Sequence, residues 1–464
     1  MENVREIVLD TLLTLERDGG LSHQLIRGVL NKYDYLDPRD KKYIKRVTEG
    51  TLERRLELDH YLDHYSSVPV RKMKPLIRCL LRMSVYQLLY MDAIPDSAVC
   101  NEACKLAEKR KFHALKGYVN GVLRKIAREK ENLPMPDRAQ DPLTWLCVKY
   151  SMPMEITSAW MKLYGEACTE RLLQALLEIH PVSLRVSQTL SDEEKEDLKG
   201  RLLEAEIEVT QSDYDDRVFL ARDLEGLESL PDFQEGRITV QDVSSVLAVK
   251  QAGIKEGDLV VDACASPGGK SILASELTGD GGKVICGDVS EKKTASIMEN
   301  IDRMGRTNIE VRIWDARSLP QELYGKADVL LLDVPCSGLG VMGKKRDIKY
   351  NVTQEGLAEV TALQREILGE AYKVVKPGGI LLYSTCTIRE EENRDAVKWI
   401  LATLPFDPMP LETMTEAVKN AILQEKQERK AKSEPWDDCC AQLLPGIINA
   451  DGFFFAKLRR RVDD

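Results

Sequence analysis

The sequence predicts an all-helical amino-terminal domain, a small α+β module and a carboxyl-terminal α/β domain built on a mostly parallel sheet. Three observations carry this. Apolar residues recur every three or four positions through residues 1–130, the spacing of a helical face. Short strand-like runs then interrupt a mixed stretch over 140–235. From about residue 236, apolar runs alternate with glycine-rich turns and helical spans, the rhythm of a doubly wound sheet. The expected domains are 1–135, 140–235 and 236–464, the number that 464 residues suggest.

In the head, Val4, Ile7, Val8, Leu12 and Leu15 form one helical stripe, which Gly19-Gly20 breaks. Asp37-Pro38 opens another helix, and Val68-Pro69 interrupts before the run from Leu76 to Leu89. Pro95-Asp96-Ser97 caps a fourth, and the segment from Lys116 to Arg124 opens the last. Pro134-Met135-Pro136 marks a linker. The module beyond it reads as a helix over 155–177, strands at 182–186, 207–210 and 218–221, and an acidic helix over 191–204. The last domain reads strands at 259–262, 284–287, 309–314, 329–333 and 380–384. The run from Phe453 to Leu458 adds a late antiparallel strand next to the sheet's carboxyl-side edge.

Composition excludes several classes. Eleven cysteines in so long a chain, without paired zinc-type spacing, fit a reduced cytoplasmic protein with no metal. No apolar run reaches membrane-spanning length, and the first residues carry acids where a signal peptide wants bases. The net charge of −10 is uneven: residues 1–150 hold 27 Lys/Arg against 21 Asp/Glu, and the remainder 39 against 55. The basic excess lies late in the head, in Lys105, Lys109, Arg110, Lys111, Lys116, Arg124, Lys125 and Arg128. Such a patch suits a phosphate backbone, and it equally suits a solvated helix face.

Two stretches bear the chemistry: Asp333-Val334-Pro335-Cys336-Ser337-Gly338 and Ser384-Thr385-Cys386-Thr387. Each delivers a thiol just past a buried strand, where an α/β sheet opens its binding crevice. Either cysteine alone also fits a core position. Asp333 and Pro335 beside Cys336 weigh toward reactivity. The turn Asp262-Ala263-Cys264-Ala265-Ser266-Pro267-Gly268-Gly269-Lys270-Ser271 ends like a phosphate-binding P-loop. That loop needs glycine where Cys264 stands, so the NTPase reading fails there. Asp288 ends the second strand, where an acid suits a ribose diol, and Asp315 ends the third, where it can face an adenine amino group. Together these suit a nucleoside without phosphate, such as S-adenosylmethionine. Any one of the acids also fits simple helix capping.

The head, chiefly Tyr118-Val119-Asn120-Gly121-Val122-Leu123, resembles the NusB family of RNA-binding domains over about residues 3–130. Asp262-Ala-Cys-Ala-Ser-Pro-Gly-Gly-Lys270, Asp333-Val-Pro-Cys-Ser-Gly338 and Tyr383-Ser-Thr-Cys386 together resemble the RNA cytosine-5 methyltransferases. So do the lead-in Val240-Gln-Asp-Val-Ser-Ser245 and the ending Asp451-Gly-Phe-Phe-Phe-Ala-Lys-Leu458. With the NusB-like head, the pattern is similar to the bacterial Sun/RsmB type. Ser266 and Ser271 replace the more typical Ala and Thr, a change that keeps small side chains.

The resemblance implies a Rossmann-like domain with a mostly parallel seven-stranded sheet. It implies S-adenosylmethionine held by Cys264, Ala265, Ser266, Pro267, Gly268, Gly269 and Lys270 with Asp288, Asp315 and Asp333. It assigns Cys386 as the nucleophile on cytosine carbon 6, Asp333 to ring N3, and Cys336 as the base that resolves the adduct. The implied partner is 16S rRNA rather than DNA or a membrane, and the implied protein is a monomer. Lys344, Lys345, Arg346 and Lys349 form a basic loop after Cys336, with RNA phosphate contact as one reading and a solvated loop as the other; Lys116 and Arg124 extend the RNA-contact reading to the head. Lys270 is open between cofactor-loop support and RNA contact. Another rRNA or tRNA is the open substrate alternative. A non-catalytic antitermination factor is the alternative from another class, and it leaves both cysteine motifs without purpose.

Overall fold

A computed structural model of the protein describes residues 3–18, 22–178, 180–222, 224, 226–412 and 414–462. The expected Gly19-Gly20 break lies outside them. The chain forms two compact units, Met1–Leu177 with Met342–Asn351, and Glu178–Val341 with Val352–Asp464.

The first unit is helical. Pro75–Tyr90 is its central helix, with Ile77, Leu80, Leu81, Met83, Val85 and Leu88 all buried. Val4–Asp18, Pro38–Glu53, Arg55–Tyr65 and Asp96–Lys109 pack around it, and so does Lys116–Glu129. Asp37 caps Pro38–Glu53 by accepting from the Arg39 amide, with Pro38 in the first turn. Gly50 lies against the Tyr86 ring, where a Cβ would come within 2.0 Å of it.

The expected boundary near 140 falls inside this unit. Pro142–Lys149 packs on Arg55–Tyr65, and the Ser151 hydroxyl accepts from the Leu56 amide at 2.9 Å. The expected helix over 155–177 is two helices, Met154–Tyr164 and Glu166–Ala175. Gly165 separates them at φ +81°, a conformation that cannot continue a helix.

Segment 342–351 also belongs to this unit, and its basic residues are largely committed there. Asp347 accepts from the Ser22 amide and hydroxyl. Arg346 pairs with Glu49 and Glu53 at 3.5 and 3.2 Å. Lys349 is buried and donates to the Glu53 carbonyl at 2.8 Å; burial lowers its pKa to about 7. Lys344 and Lys345 are exposed. The reading of this loop as a uniformly phosphate-facing patch therefore does not hold for Arg346 and Lys349.

The second unit carries two sheets. In the smaller, β1 (Val182–Val186), β2 (Glu208–Gln211), β3 (Val218–Arg222) and β4 (Ile238–Val240) lie antiparallel in the order β2-β3-β1-β4. Asp192–Glu204 sits between the first two strands, started by a capping box of Ser191 and Glu194.

The larger sheet comprises β5 (Leu259–Asp262), β6 (Lys283–Asp288), β7 (Ile309–Ile313), β8 (Ala327–Asp333), β9 (Val375–Thr385), β10 (Phe406–Pro408), β11 (Cys440–Leu443) and β12 (Phe453–Arg460). Its order is β10-β12-β9-β8-β5-β6-β7, with β11 paired to β12. Strands β5 to β9 are parallel, and β12 runs antiparallel to β9. β12 is not an edge strand, because β10 pairs with it outside. Both faces are covered, so successive residues enter opposite cores. Val260, Val284, Val329 and Leu382 face one core, and Val261, Ile285, Leu330 and Leu381 the other. This explains the unbroken apolar runs. Among the described residues, no helix is long and apolar enough to cross a membrane.

The chain steps outward from β5 through β6 to β7, then returns to place β8 against the other side of β5. The carboxyl ends of β5 and β8 therefore flank the switch point where such sheets bind ligands. Asp262 and Asp333 stand at those ends.

Candidate active site

After β5 the chain turns through a cis Ser266-Pro267 bond and Gly268, at φ +103°, into the helix Gly269–Thr278. That backbone angle strains any residue but glycine, and a Cβ there would also press on the Ile297 side chain at 3.2 Å. Asp262 is fully buried. Its Oδ2 accepts from the Ser271 hydroxyl at 2.6 Å, and its Oδ1 has no partner among the described residues. Burial raises its pKa to about 6, with the Ser271 hydrogen bond and the Lys270 charge opposing. The Cys264 thiol is pushed up by burial and by the Asp262, Asp288 and Asp333 carboxylates, which keeps it protonated.

Asp288 stitches the turn to β6. Its carboxylate accepts from the Ser266 amide at 3.2 Å, the Val289 amide at 2.7 Å and the Lys293 ammonium at 2.9 Å. Asp315 stands apart in its bonding, held by the amide and guanidinium of Arg317. Trp314, which sequence reasoning overlooked, ties the end of β7 to the turn by donating to the Ala263 carbonyl at 3.0 Å.

At the end of β8, Asp333 accepts from Lys270 Nζ and from Ser384 Oγ, each at 2.7 Å. Burial opposes the charge on Lys270, but Asp333 beside it raises its pKa above the ordinary lysine value. This contact places Lys270 in the crevice, with its ammonium engaged by Asp333. The two motif cysteines meet, with Cys336 Sγ 3.2 Å from Cys386 Sγ. Contact with Cys386, then burial, then the carboxylates of Glu392 and Asp333 push the Cys336 thiol well up. The Cys336 thiol is therefore held in its protonated form. The register of β8 on β9, Asp333 opposite Ser384, brings the two loops together.

In the head, Lys116 pairs with Glu108 at 2.8 Å and Arg124 donates to Asn120 at 3.0 Å; both are exposed. Sequence reasoning also passed over Gln364, Glu392 and Asn393, which are buried behind the cysteine loops. The only available signal, the acidic run Glu390-Glu391-Glu392, reads as a solvated surface.

The description "16S rRNA methyltransferase RsmB/F" matches residues 251–459, and the NusB family matches residues 2–128. A Bacillus subtilis protein named "Probable ribosomal RNA small subunit methyltransferase B" is 32% identical across 99% of both chains. The chain belongs to the RsmB/F methyltransferase family. A Klebsiella pneumoniae ribosomal RNA small subunit methyltransferase B is 31% identical over 91% of each chain. The solved structure of PH0851 superposes with a TM-score of 0.78, at 25% identity and covering 99% of both chains.

S-adenosylmethionine is the cofactor of this RsmB/F chain. The crevice fits it on its own chemistry. Gly268 permits close backbone approach, Asp262 offers an unpartnered buried oxygen, and Asp262, Asp288 and Asp333 bring negative charge. Such a set favours a cationic sulfonium and repels a triphosphate.

Proposed function

We propose that this enzyme methylates carbon 5 of a cytosine in 16S rRNA through a covalent adduct between Cys386 and carbon 6. The single observation that carries the reading is the pair of thiols at 3.2 Å beside the Asp333–Lys270 ion pair, at the mouth of the cofactor crevice. Carbon 5 of cytosine is a poor nucleophile until something adds to carbon 6. The Cys386 thiolate supplies the electron pair for the new S–C6 bond. The Asp333 carboxylate, oriented by Lys270 and Ser384, holds the proton at ring N3 that draws density from carbon 6. S-adenosylmethionine, held by the Cys264–Lys270 turn and Asp288, supplies the methyl as a sulfonium electrophile.

Release follows from the coupling of the thiols. Once Cys386 is a neutral thioether, the largest cause of Cys336's raised pKa is gone. Cys336 then loses its proton to solvent, and its thiolate takes the carbon 5 proton. The C5=C6 bond re-forms as the S–C6 bond breaks, and Cys386 leaves as thiolate. One proton is released per methyl transferred. The target base must enter unstacked. The NusB-like head, 1–135, supplies RNA affinity; the helical unit that contains it runs on to Leu177, and the small four-stranded sheet follows before the catalytic domain.

Bisulfite mapping of rRNA and tRNA from cells with and without the protein tests the reading. One 16S cytosine should lose its protection when the protein is absent. Loss at a tRNA position, or at none, overturns the substrate assignment. Cys336→Ala should leave methylated RNA covalently attached on a denaturing gel, and absence of that band with Cys386 intact removes the release role.

A further inference from the structure

Two adjacent side chains, Glu392 and Asn393, are both fully buried behind the thiols. Their hydrogen bonds divide between the two cysteine loops. Glu392 Oε2 accepts from the Ser337 amide at 2.9 Å and from Gln364 Nε2 at 3.0 Å. The same Gln364 nitrogen donates to the Pro335 carbonyl at 2.9 Å. Both neighbours of Cys336 are thus held from one point. Asn393 does the same for Cys386. Its Oδ1 accepts from the Thr385 hydroxyl at 2.6 Å, and its Nδ2 donates to the Thr387 carbonyl at 3.0 Å and to Gln442 at 2.7 Å. The loops are joined directly by Ser337 and Thr387, whose hydroxyls lie 2.8 Å apart. The Tyr383 hydroxyl anchors the Glu392 carbonyl at 2.6 Å.

We propose that Glu392 and Asn393 are the positioning pair for the two reactive thiols, Asn393 aiming Cys386 for addition and Glu392 holding Cys336 for release. This rests on the covalent reading above. The other carboxylate oxygen, Oε1, faces the Arg389 guanidinium at 3.7 Å, and a buried ion pair is costly to keep where a neutral amide would make the same contacts to the cysteine loop. Contact with Cys386 and burial raise the Cys336 pKa most, and the Glu392 and Asp333 carboxylates add to this, which suits a base that must act second.

The test uses full-length protein, unmodified 16S rRNA transcript and S-adenosylmethionine, followed by denaturing gels and single-turnover rates. Glu392→Ala should accumulate covalent RNA complex as Cys336→Ala does, with release slowed roughly tenfold or more and cofactor affinity unchanged. Glu392→Gln keeps the shape and removes the charge. It should restore release, with the midpoint of the release rate moved to lower pH, since an anion that raises the Cys336 pKa is gone. In a Cys336→Ala background, Asn393→Ala should slow adduct formation roughly tenfold without weakening RNA or cofactor binding.

Release at the original rate in Glu392→Ala overturns the proposal, as does adduct formation at an undiminished rate with Asn393→Ala. If Glu392→Ala fails to fold, the Glu392→Gln profile decides: an unmoved midpoint overturns the role of Glu392. Cys336→Ala is the control for the underlying mechanism. If it gives no adduct, the covalent reading fails; if it traps RNA while the Glu392 and Asn393 variants behave as the original protein, only the positioning fails.

Discussion

Asp262 offers a quantitative test of the cofactor crevice. Its carboxyl is wholly buried, one oxygen is satisfied by Ser271, and the other has no partner among the described residues. Burial raises its pKa from 3.8 to about 6. A folded pKa above the unfolded one means that this group favours folding below about pH 4, and that the contribution is lost as pH rises through 6. The shift of two pH units corresponds to a cost of about 3 kcal/mol in the cofactor-free protein at neutral pH. A cationic ligand beside Oδ1 removes that cost by favouring the charge.

Two measurements follow. Calorimetric affinity for S-adenosylmethionine should weaken about tenfold between pH 7.5 and pH 5, because only about one carboxyl in ten is ionised at the lower pH. Titrations near pH 6, in buffers of different ionisation heat, should show about half a proton released per cofactor bound. Asp262→Asn keeps an acceptor for Ser271 but carries no charge. It should bind more weakly at pH 7.5, abolish both pH effects, and remove the destabilisation between pH 4 and 6. An affinity independent of pH in the original protein, with no proton released, would refute the argument that Asp262 meets the cofactor as an anion.

The other predictions concern the remaining groups of the crevice and head. Cys386→Ala should abolish methyl transfer and leave calorimetric cofactor affinity unchanged; near-normal turnover would remove it as nucleophile. Asp288→Ala should weaken cofactor binding roughly tenfold or more, since a charge-assisted contact contributes about 1.5–3 kcal/mol. An unchanged affinity would leave Asp288 only its observed bonds to Ser266, Val289 and Lys293. Lys116→Ala with Arg124→Ala should flatten the salt dependence of rRNA binding by somewhat under one unit for each lost phosphate contact. Identical slopes would make these two side chains a solvated face.

The sheet was legible because its strands are buried on both sides. The run 329–332 has no polar interruption to blur its limits, and β5 falls on the residues the sequence indicates. β4 and β10 were missed, since three residues give no period to read, and β11 was missed as well. The split at Gly165 depends on one backbone angle, and the spacing of apolar residues across it still reads as helical. The basic loop failed for a different reason. Charges such as Arg346 and Lys349 announce a surface role, and only partners about 300 positions earlier, Glu49 and Glu53, show them spent.

The site divides along the same line. The residues proposed to act on substrate sit at or just past strand ends, where topology announces them: Asp333, Cys336 and Cys386 were named there, whereas Asp262, the acid that ends β5, was read only as part of the turn and given no role of its own. Residues that hold them in place carry no such mark. Glu392 follows two other glutamates in a run that reads as solvent-facing, yet it is buried and bonded to the loop of Cys336. What separates it from Glu391, which is exposed, is the one-residue phase in which the turn meets the back of the β8–β9 loops. Phase of that kind is set by tertiary packing, which also explains why Gln364, 28 positions away, completes the same hydrogen-bond set. Chemistry at a switch point is written locally, and the positioning that makes it efficient is distributed through contacts that no local pattern records.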